Sequence, residues 1–200
     1  MKLKVLGFLF FSQIAITFAQ IGQNTVSIGA GFPNLPKFFF SYLNTEKNYS
    51  AMGTGPFHLK YENRVKPWLG VGLSINHMTY SISYTQDVLD TNIGRIYPNK
   101  INISSNNTAF NLRANIHFLN PENHEKNDFY WGLGIGFRTG KLIIDSEYKD
   151  NQPKLDLPSL SRIGFESTIG YRHFFDDNLG IYAELGLAKS VFQFGFTGRF

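Results

Sequence analysis

The 200-residue chain contains no cysteine, which excludes stabilisation by disulfides and every metal site built on thiolates. Charged residues are also scarce, at 17% against ~25% in an average soluble domain, whereas aromatic residues reach 16%. Few charges and many aromatic residues exclude an intrinsically disordered chain. Beyond the first twenty residues there is no apolar run of the ~20 residues that a membrane-spanning helix needs. If this part of the chain enters a membrane, it must do so as strands.

The start of the chain has the pattern of a secretory signal peptide. Lys2 and Lys4 are followed by an apolar core at 5–11, and small residues stand at the −3 and −1 positions of a cleavage site after Ala19. We expect residues 1–19 to be removed and residues 20–200 to form one domain. Cleavage after Gln20 and an uncleaved N-terminal anchor are the alternatives. Because the leader carries two lysines and no acidic residue, the formal net charge falls from +4 to +2, and no nucleic-acid partner is implied.

The rest of the chain alternates between apolar and polar residues with a period of two, which predicts β-strands with two different faces. In the clearest run, Phe110, Leu112 and Ile116 alternate with Arg113 and Asn115. We count about eight such segments, near 24–33, 55–65, 68–86, 103–119, 129–146, 161–175, 179–188 and 190–200. An even number of strands favours an all-β, up-and-down antiparallel transmembrane barrel.

The connections between these segments support the same fold. Long ones are expected at 34–54, 87–102 and 147–160, and short turns at 66–67 and 176–178. Long loops at one end and short turns at the other are typical of transmembrane barrels.

The polar face of the predicted strands combines many glycines with charges of both signs. Glycine weakens strands, so a water-facing exterior gains nothing from it, whereas a narrow lumen needs small residues beside long ionic ones. We therefore predict a charge network in the lumen, made of Lys60, Glu62, Arg64, Arg113, Arg138, Glu166, Arg172, Glu184 and Arg199. The opposite face is apolar, as contact with hydrocarbon requires. A secreted, lipocalin-type barrel with its apolar face inside is the soluble alternative.

The last strand is the most specific feature of the sequence. Phe192, Phe194, Phe196 and Phe200 fall on one face, and the chain ends on Phe200. In this the sequence resembles bacterial outer-membrane β-barrel proteins, whose terminal aromatic strand is recognised by the barrel assembly machinery. With about eight strands it is most similar in architecture to the small OmpA/OmpX-type barrels. The resemblance implies location in the outer membrane, contact with its lipid, and both termini on the periplasmic side. Gly198 departs from the apolar residue usual at its position.

Catalytic patterns are missing. Lipid A deacylase barrels carry His, any residue, Ser and Asn in sequence, whereas Phe174, Phe175 and Asp176 follow His173. Neither an H-E-x-x-H nor a G-x-S-x-G motif occurs. We expect a monomer without catalysis, cofactor or metal, with a structural or surface-interaction role. A lipid-modifying enzyme and a narrow ion-conducting pore are the alternatives, although an eight-stranded barrel is just filled by its side chains.

Two predicted strands, 68–86 and 129–146, exceed the ~9–11 residues that a tilted membrane span needs. We expect strands three to six of this count, 68–86, 103–119, 129–146 and 161–175, to project beyond the membrane as a small sheet. Together with loops 34–54 and 87–104 they offer a contact surface for an extracellular partner, unless these loops merely shield the rim. The apolar residues change phase between Ile75 and Met78, which predicts a β-bulge at 76–77.

Overall fold

The computed structural model describes residues 23–34, 46–90, 94–146, 155–158 and 162–200. The predicted signal peptide, residues 1–19, lies outside them. Within the described residues, no helix is long and apolar enough to cross a membrane.

The described chain consists of antiparallel strands that close into a ring. The strands are β1 (Asn24–Phe32), β2 (Lys47–Lys66), β3 (Leu69–Asp90), β4 (Arg95–His117), β5 (Asn127–Ser146), β6 (Leu155–Pro158), β7 (Ile163–Phe174), β8 (Leu179–Leu187) and β9 (Phe192–Arg199). Neighbours in the chain pair with each other except β6 and β7. In addition, β5 pairs with β7, and β9 returns to β1. The short β6 stands outside the ring, on residues 141–144 of β5. The predicted up-and-down antiparallel barrel of about eight strands is therefore confirmed.

The ring has two different ends. At the turn rim lie the connections 67–68, 118–126 and 175–178 together with both described chain ends, where Asn24 and Phe200 exchange backbone hydrogen bonds of 3.0 Å. At the other end, the loop rim, lie residues 33–34 after β1, residue 162 before β7, and the hairpin 188–191. The two ends of the domain are thus held together at the turn rim.

The strands differ in length. β2 to β5 are 20 to 23 residues long, whereas β1, β7, β8 and β9 have 8 to 12. Because all start from the turn rim, the four long strands project past the loop rim on one side. They are not the four that we expected: β2, near 55–65, projects, whereas β7, near 161–175, has only 12 residues and does not. We call the projecting part, residues 47–54, 78–90, 95–107 and 139–146, the extension, and the remainder of the ring the barrel wall.

The predicted loops are too long. Residues 47–54, expected in loop 34–54, belong to β2, and residues 87–90 and 95–104, expected in loop 87–104, belong to β3 and β4. The short β6 lies inside the predicted loop 147–160. These segments are polar on one face only, and a strand that leaves the barrel wall with its polar face outward resembles a loop in sequence. Residues 35–45 of loop 34–54 lie outside the described residues.

The predicted bulge is wrong in position. β3 pairs with β4 without any register shift from Leu69 opposite Ile116 to Asp90 opposite Arg95. The irregularity lies instead in β2, between Thr54 and Phe57, across from β3. This bulge changes which residues of β2 face inward, from the even-numbered ones in the barrel wall to the odd-numbered ones in the extension.

The inside of the extension is apolar. Tyr80, Ile82 and Ile103 are buried there and are packed by partly buried neighbours, namely Tyr49, Ala51, Tyr84, Ile101, Leu142 and Ile144. This cluster is the small hydrophobic core of the described structure.

Candidate functional site

The outside of the barrel wall is apolar around the whole ring. Ile28, Leu112 and Ile135 are 62%, 67% and 63% exposed, and outward side chains of the other wall strands are similar. Aromatic side chains border this apolar band, with Trp68 and Phe118 near the turn rim and Phe57, Phe110 and Phe137 near the extension. A continuous apolar surface of this kind suits hydrocarbon rather than water.

The lumen holds one ion cluster around Arg113. Its guanidinium contacts Glu166 at 3.0 Å and Glu184 at 2.9 Å. Lys60 reaches Glu184 at 2.7 Å and donates to the side-chain oxygen of Gln193 at 2.6 Å. All four charged groups are buried, so each charge is compensated at close range, as a site of low dielectric requires.

A second ion cluster lies nearer the turn rim, around Arg172. This arginine contacts Glu62 at 2.6 Å and Asp128 at 3.1 Å. The ring nitrogens of His117 lie 2.7 Å from the same two carboxylates. Arg64 completes the cluster at 3.3 Å from Asp128. Asp128 was not among the predicted network residues, because it lies one residue before the predicted strand 129–146. It alternates with Tyr130 and Gly132, which places it on the inner face of β5.

Polar side chains join the two clusters. Asn115 donates to Glu62 and accepts from Nε of Arg113 at 2.8 Å. The Tyr130 hydroxyl donates to Glu184 at 2.7 Å, while the guanidinium of Arg172 lies 4.3 Å from the centre of the Tyr130 ring. The described lumen is thus occupied by paired and stacked side chains along much of its length.

Glycine makes this packing feasible at two positions. A Cβ at Gly132 would overlap the Arg113 guanidinium, and one at Gly134 would overlap the Glu166 side chain. Any larger residue at either position would displace a buried ion pair.

Arg138 and Arg199 do not join the clusters. Arg199 donates to the backbone carbonyls of Asp177 and Glu125 and lies 4.1 Å from the centre of the Phe174 ring, which places it at the turn rim. Arg138 faces inward near the loop rim, where its Nε has no hydrogen-bond partner among the described residues. The other predicted network residues are brought together.

The hairpin at 188–191 closes over the lumen from the loop rim, a role that sequence analysis missed. Lys189 is buried and donates to the backbone carbonyls of Asn76 at 3.0 Å and Asn107 at 2.7 Å. Because these carbonyls belong to β3 and β4, the lysine spans the lumen. Nothing in the short sequence 188–190 distinguishes such a residue from a solvent-facing one.

Ser190, His58 and Asn76 form a hydrogen-bonded chain of the order seen in serine hydrolases. The Ser190 hydroxyl lies 3.3 Å from Nε2 of His58, and Nδ1 of His58 lies 2.7 Å from Oδ1 of Asn76. Asn76 in turn donates to Glu166 at 3.1 Å. Ser190 is completely buried, however, so its hydroxyl is out of reach of a substrate. The chain ties the hairpin to the lumen network.

Metal ligands are not grouped in the part of the chain that the structure describes: no three His, Asp or Glu side chains there form a cluster that would hold a metal ion.

The structure is similar to that of Ail, the attachment invasion locus protein of Yersinia pestis, with 13% identity and a TM-score of 0.46 over 90% of this chain and 99% of that chain. For the crystal structure of Ail in complex with the heparin analogue sucrose octasulfate, the identity is 14% and the TM-score 0.44 over the same shares. No family model matches the chain, and no curated protein matches its sequence. Neither likeness bears on what the chain does.

Proposed function

We propose that the chain is an integral protein of the bacterial outer membrane with a structural or surface-interaction role and without catalysis. One observation carries the proposal. The outward face of β2 to β5 is apolar up to Phe57, Ile75, Phe110 and Phe137 and then becomes mainly polar, with His77, Thr108 and Thr139 as the next outward residues of β3, β4 and β5. A sharp change of this kind on four adjacent strands marks the height at which hydrocarbon gives way to water.

The proposal includes an orientation. The leader 1–19 is removed on export, the turn rim with both ends of the domain faces the periplasm, and the extension faces the outside. Short turns on the periplasmic side and longer structures on the outer side are the general layout of outer-membrane barrels.

A labelling experiment tests location and orientation, because the chain has no cysteine of its own. Met52→Cys places a thiol on the exposed extension, and Trp68→Cys places one at the turn rim. On intact cells a membrane-impermeant maleimide should label position 52 only, and after permeabilisation it should label both. Labelling of position 68 alone would contradict the orientation. A protein that fractionates with the periplasm and lacks a heat-modifiable band on gels would contradict the location.

The extension is the part suited to an interaction role. β1 pairs with β2 only from residue 57 towards the turn rim, so among the described strands none pairs with residues 47–54 on the side away from β3. An open strand edge accepts a partner strand through backbone hydrogen bonds. The interaction surface that we expected in loops 34–54 and 87–104 is therefore proposed to be this sheet and its open edge.

Conduction is the main alternative to a closed structural barrel. Paired ions in both clusters and the hairpin at 188–191 support a plugged lumen. We expect no steady conductance when the protein is inserted into a planar lipid bilayer. Large, regular openings would favour the pore.

We also propose that Phe192, Phe194, Phe196 and Phe200 form the signal recognised by the assembly machinery. All four face outward on β9 or at its end, and Phe200 is 71% exposed. Phe200→Ala keeps the backbone bonds to Asn24 that close the barrel and removes only the exposed ring. It should lower the yield of folded barrel in cells, whereas Phe200→Trp should not. Equal yields of native protein and Phe200→Ala would contradict recognition of the terminal aromatic residue.

A further inference from the structure

Two arginines lie directly opposite each other where the lumen opens at the loop rim. The backbone N–H of Arg138 on β5 donates to the carbonyl of Arg162 at 2.7 Å, one step beyond the pair of Phe137 and Ile163. Even-numbered residues face the lumen on β5 and β7, and Arg162, just before β7, continues that series. Like charges in a directly opposed pair destabilise a sheet. The arginine pair is therefore unfavourable unless an anion lies beside it.

No acidic side chain occupies the neighbouring positions on the inner face. Along β5 the neighbours of Arg138 are Gly136 and Gly140, and Gly164 follows Arg162 on β7. The inward residues of β4 at this height are uncharged, namely Asn107, Ala109 and Asn111. Nε of Arg138 is buried without a hydrogen-bond partner, and within the described ranges neither arginine forms an ion pair.

The next acid along the inner face of β7 is already engaged. Glu166 lies opposite Gly134, two inward pairs deeper in the lumen than the arginine pair. It accepts hydrogen bonds from Arg113, Ser74 and Asn76. Its charge thus compensates Arg113 and leaves the arginine pair at the loop rim without a counter-charge.

A third cation lies at the same height. Asn76, Ala109 and Arg138 stand opposite one another across β3, β4 and β5. The Lys189 ammonium donates to the carbonyl of Asn76 at 3.0 Å and to that of Asn107 at 2.7 Å. One of its three N–H groups has no partner in the described part of the chain. Arg138 is near enough for its positive charge to oppose that of Lys189.

This set of donors selects a class of anion. A guanidinium donates through a planar fork that matches two oxygens of an oxyanion, and an ammonium adds a single donor. A phosphate group carries roughly two negative charges near neutral pH and has several acceptor oxygens. Chloride has one charge and no geometry that fits a fork. A phosphate group therefore matches two guanidinium groups and one ammonium better than a monovalent ion does.

We propose that Arg138, Arg162 and Lys189 form a binding site for a phosphate group at the opening of the lumen on the loop rim. Free phosphate and a phosphate monoester share the chemistry that the site recognises. The site goes beyond a structural or surface-interaction role, because it assigns a small ligand to a lumen that is otherwise filled by paired side chains.

A titration with a matched pair of variants tests the site. Arg162→Gln removes one donor at an exposed position, and Arg95→Gln removes the same charge from an exposed position at the far end of the extension. The mature barrel, folded in non-ionic detergent and phosphate-free buffer, is titrated by isothermal calorimetry. The probes are inorganic phosphate, glycerol phosphate, chloride and a short polyglutamate peptide.

The native barrel should bind one phosphate group per chain and should bind chloride far more weakly. Tighter binding of glycerol phosphate would identify an ester as the source, and tighter binding of inorganic phosphate would identify the free ion. Arg162→Gln should weaken phosphate binding roughly tenfold, because a charge-assisted hydrogen bond is lost, and Arg95→Gln should bind like the native protein. Phosphate binding no tighter than chloride, equal loss in both variants, or a preference for the peptide would overturn the site.

Urea unfolding gives a second measurement, which a merely structural role of Arg162 would move in the opposite direction. Without phosphate, Arg162→Gln should unfold at a higher urea concentration than the native protein, because the repulsion from Arg138 is relieved. Phosphate should raise the midpoint of the native protein by mass action and raise that of Arg162→Gln much less. A lower midpoint for Arg162→Gln in phosphate-free buffer would show that Arg162 has an acidic partner and would overturn the proposal.

Discussion

The extension is built from β2 to β5, which also form part of the barrel wall, yet the apolar and polar faces of these strands are reversed between the two regions. In the wall part of β3, Val71 and Ile75 face outward and Ser74 faces inward, whereas in the extension Tyr80 and Ile82 face inward and Ser81 outward. The backbone alternation is unchanged along the strand, since its pairing with β4 has no shift. The difference teaches that the surrounding medium, and not the strand, decides which face is apolar.

The physical reason lies in the cost of contact with each medium. Hydrocarbon cannot satisfy polar groups, so the wall places them in the lumen, where Arg113 and Arg172 find acidic partners. Water satisfies polar groups and excludes apolar ones, so the extension hides Ile82 and Ile103 inside. Two different kinds of interior, ionic and hydrophobic, follow one another along a single strand.

The largest expected effect is loss of an ion pair inside the wall. Glu166→Gln removes the charge that faces Arg113 while the Ser74 and Asn76 hydrogen bonds can be kept in part. A buried arginine left with less compensation should cost about 3–5 kcal/mol in the free energy of unfolding. Urea titration of the protein in lipid vesicles measures this.

The matched control for that measurement is Asp145→Asn, which removes an exposed carboxylate on β5 in the extension. It should leave the unfolding midpoint close to that of the native protein. If both variants unfolded alike, the wall interior would be wet, and the contrast between the two interiors would be lost.

A second substitution addresses the hydrophobic interior. Ile82→Ala empties space in the completely buried centre of the extension and should cost about 2–5 kcal/mol of its local stability. The stability of the barrel wall should be unaffected, because its strands pair into a closed ring without the extension, which begins after residue 77 of β3. Hydrogen exchange should therefore become faster at residues 80–84 and 101–105 and remain slow at 110–116. Faster exchange along the whole of β4 would show that extension and wall are one cooperative unit.

The smallest effect is expected outside both interiors, in the turn 175–178. Backbone N–H groups of Leu179 and Asn178 donate to Asp176 at 2.7 and 2.8 Å, and these bonds lower the pKa of its carboxyl below 3.8. A carboxylate with a lowered pKa in the folded state stabilises the fold above its ordinary pKa, and this contribution is lost as the pH falls through the lower value.

The unfolding midpoint of the native protein should accordingly fall more steeply below pH 3.8 than that of Asp176→Asn. Asp177→Asn, one residue further on, keeps both backbone hydrogen bonds to the Asp176 carboxylate and is the matched control. Identical acid profiles for the native protein and Asp176→Asn would mean that these turn hydrogen bonds do not contribute to stability.

The alternation of the sequence was sufficient to predict much of the barrel wall. It placed Lys60, Glu166 and Glu184 on the same face, and closure of the ring brought them close together. It could not identify Lys189, because a short hairpin has no alternation from which to infer a direction. It also could not tell the end of the wall strands from the start of loops, since polar outward residues of the extension resemble loop residues.

The phase change near residue 76 shows where the inference from sequence stopped. The sequence by itself determined that the apolar residues of β3 change from odd to even positions between Ile75 and Met78. Only the tertiary structure decided that the strand continues straight and that the bulge lies in β2 between Thr54 and Phe57. Alternation along one chain cannot distinguish a change of backbone from a change of surroundings, and the surroundings are set by how the other strands close the ring.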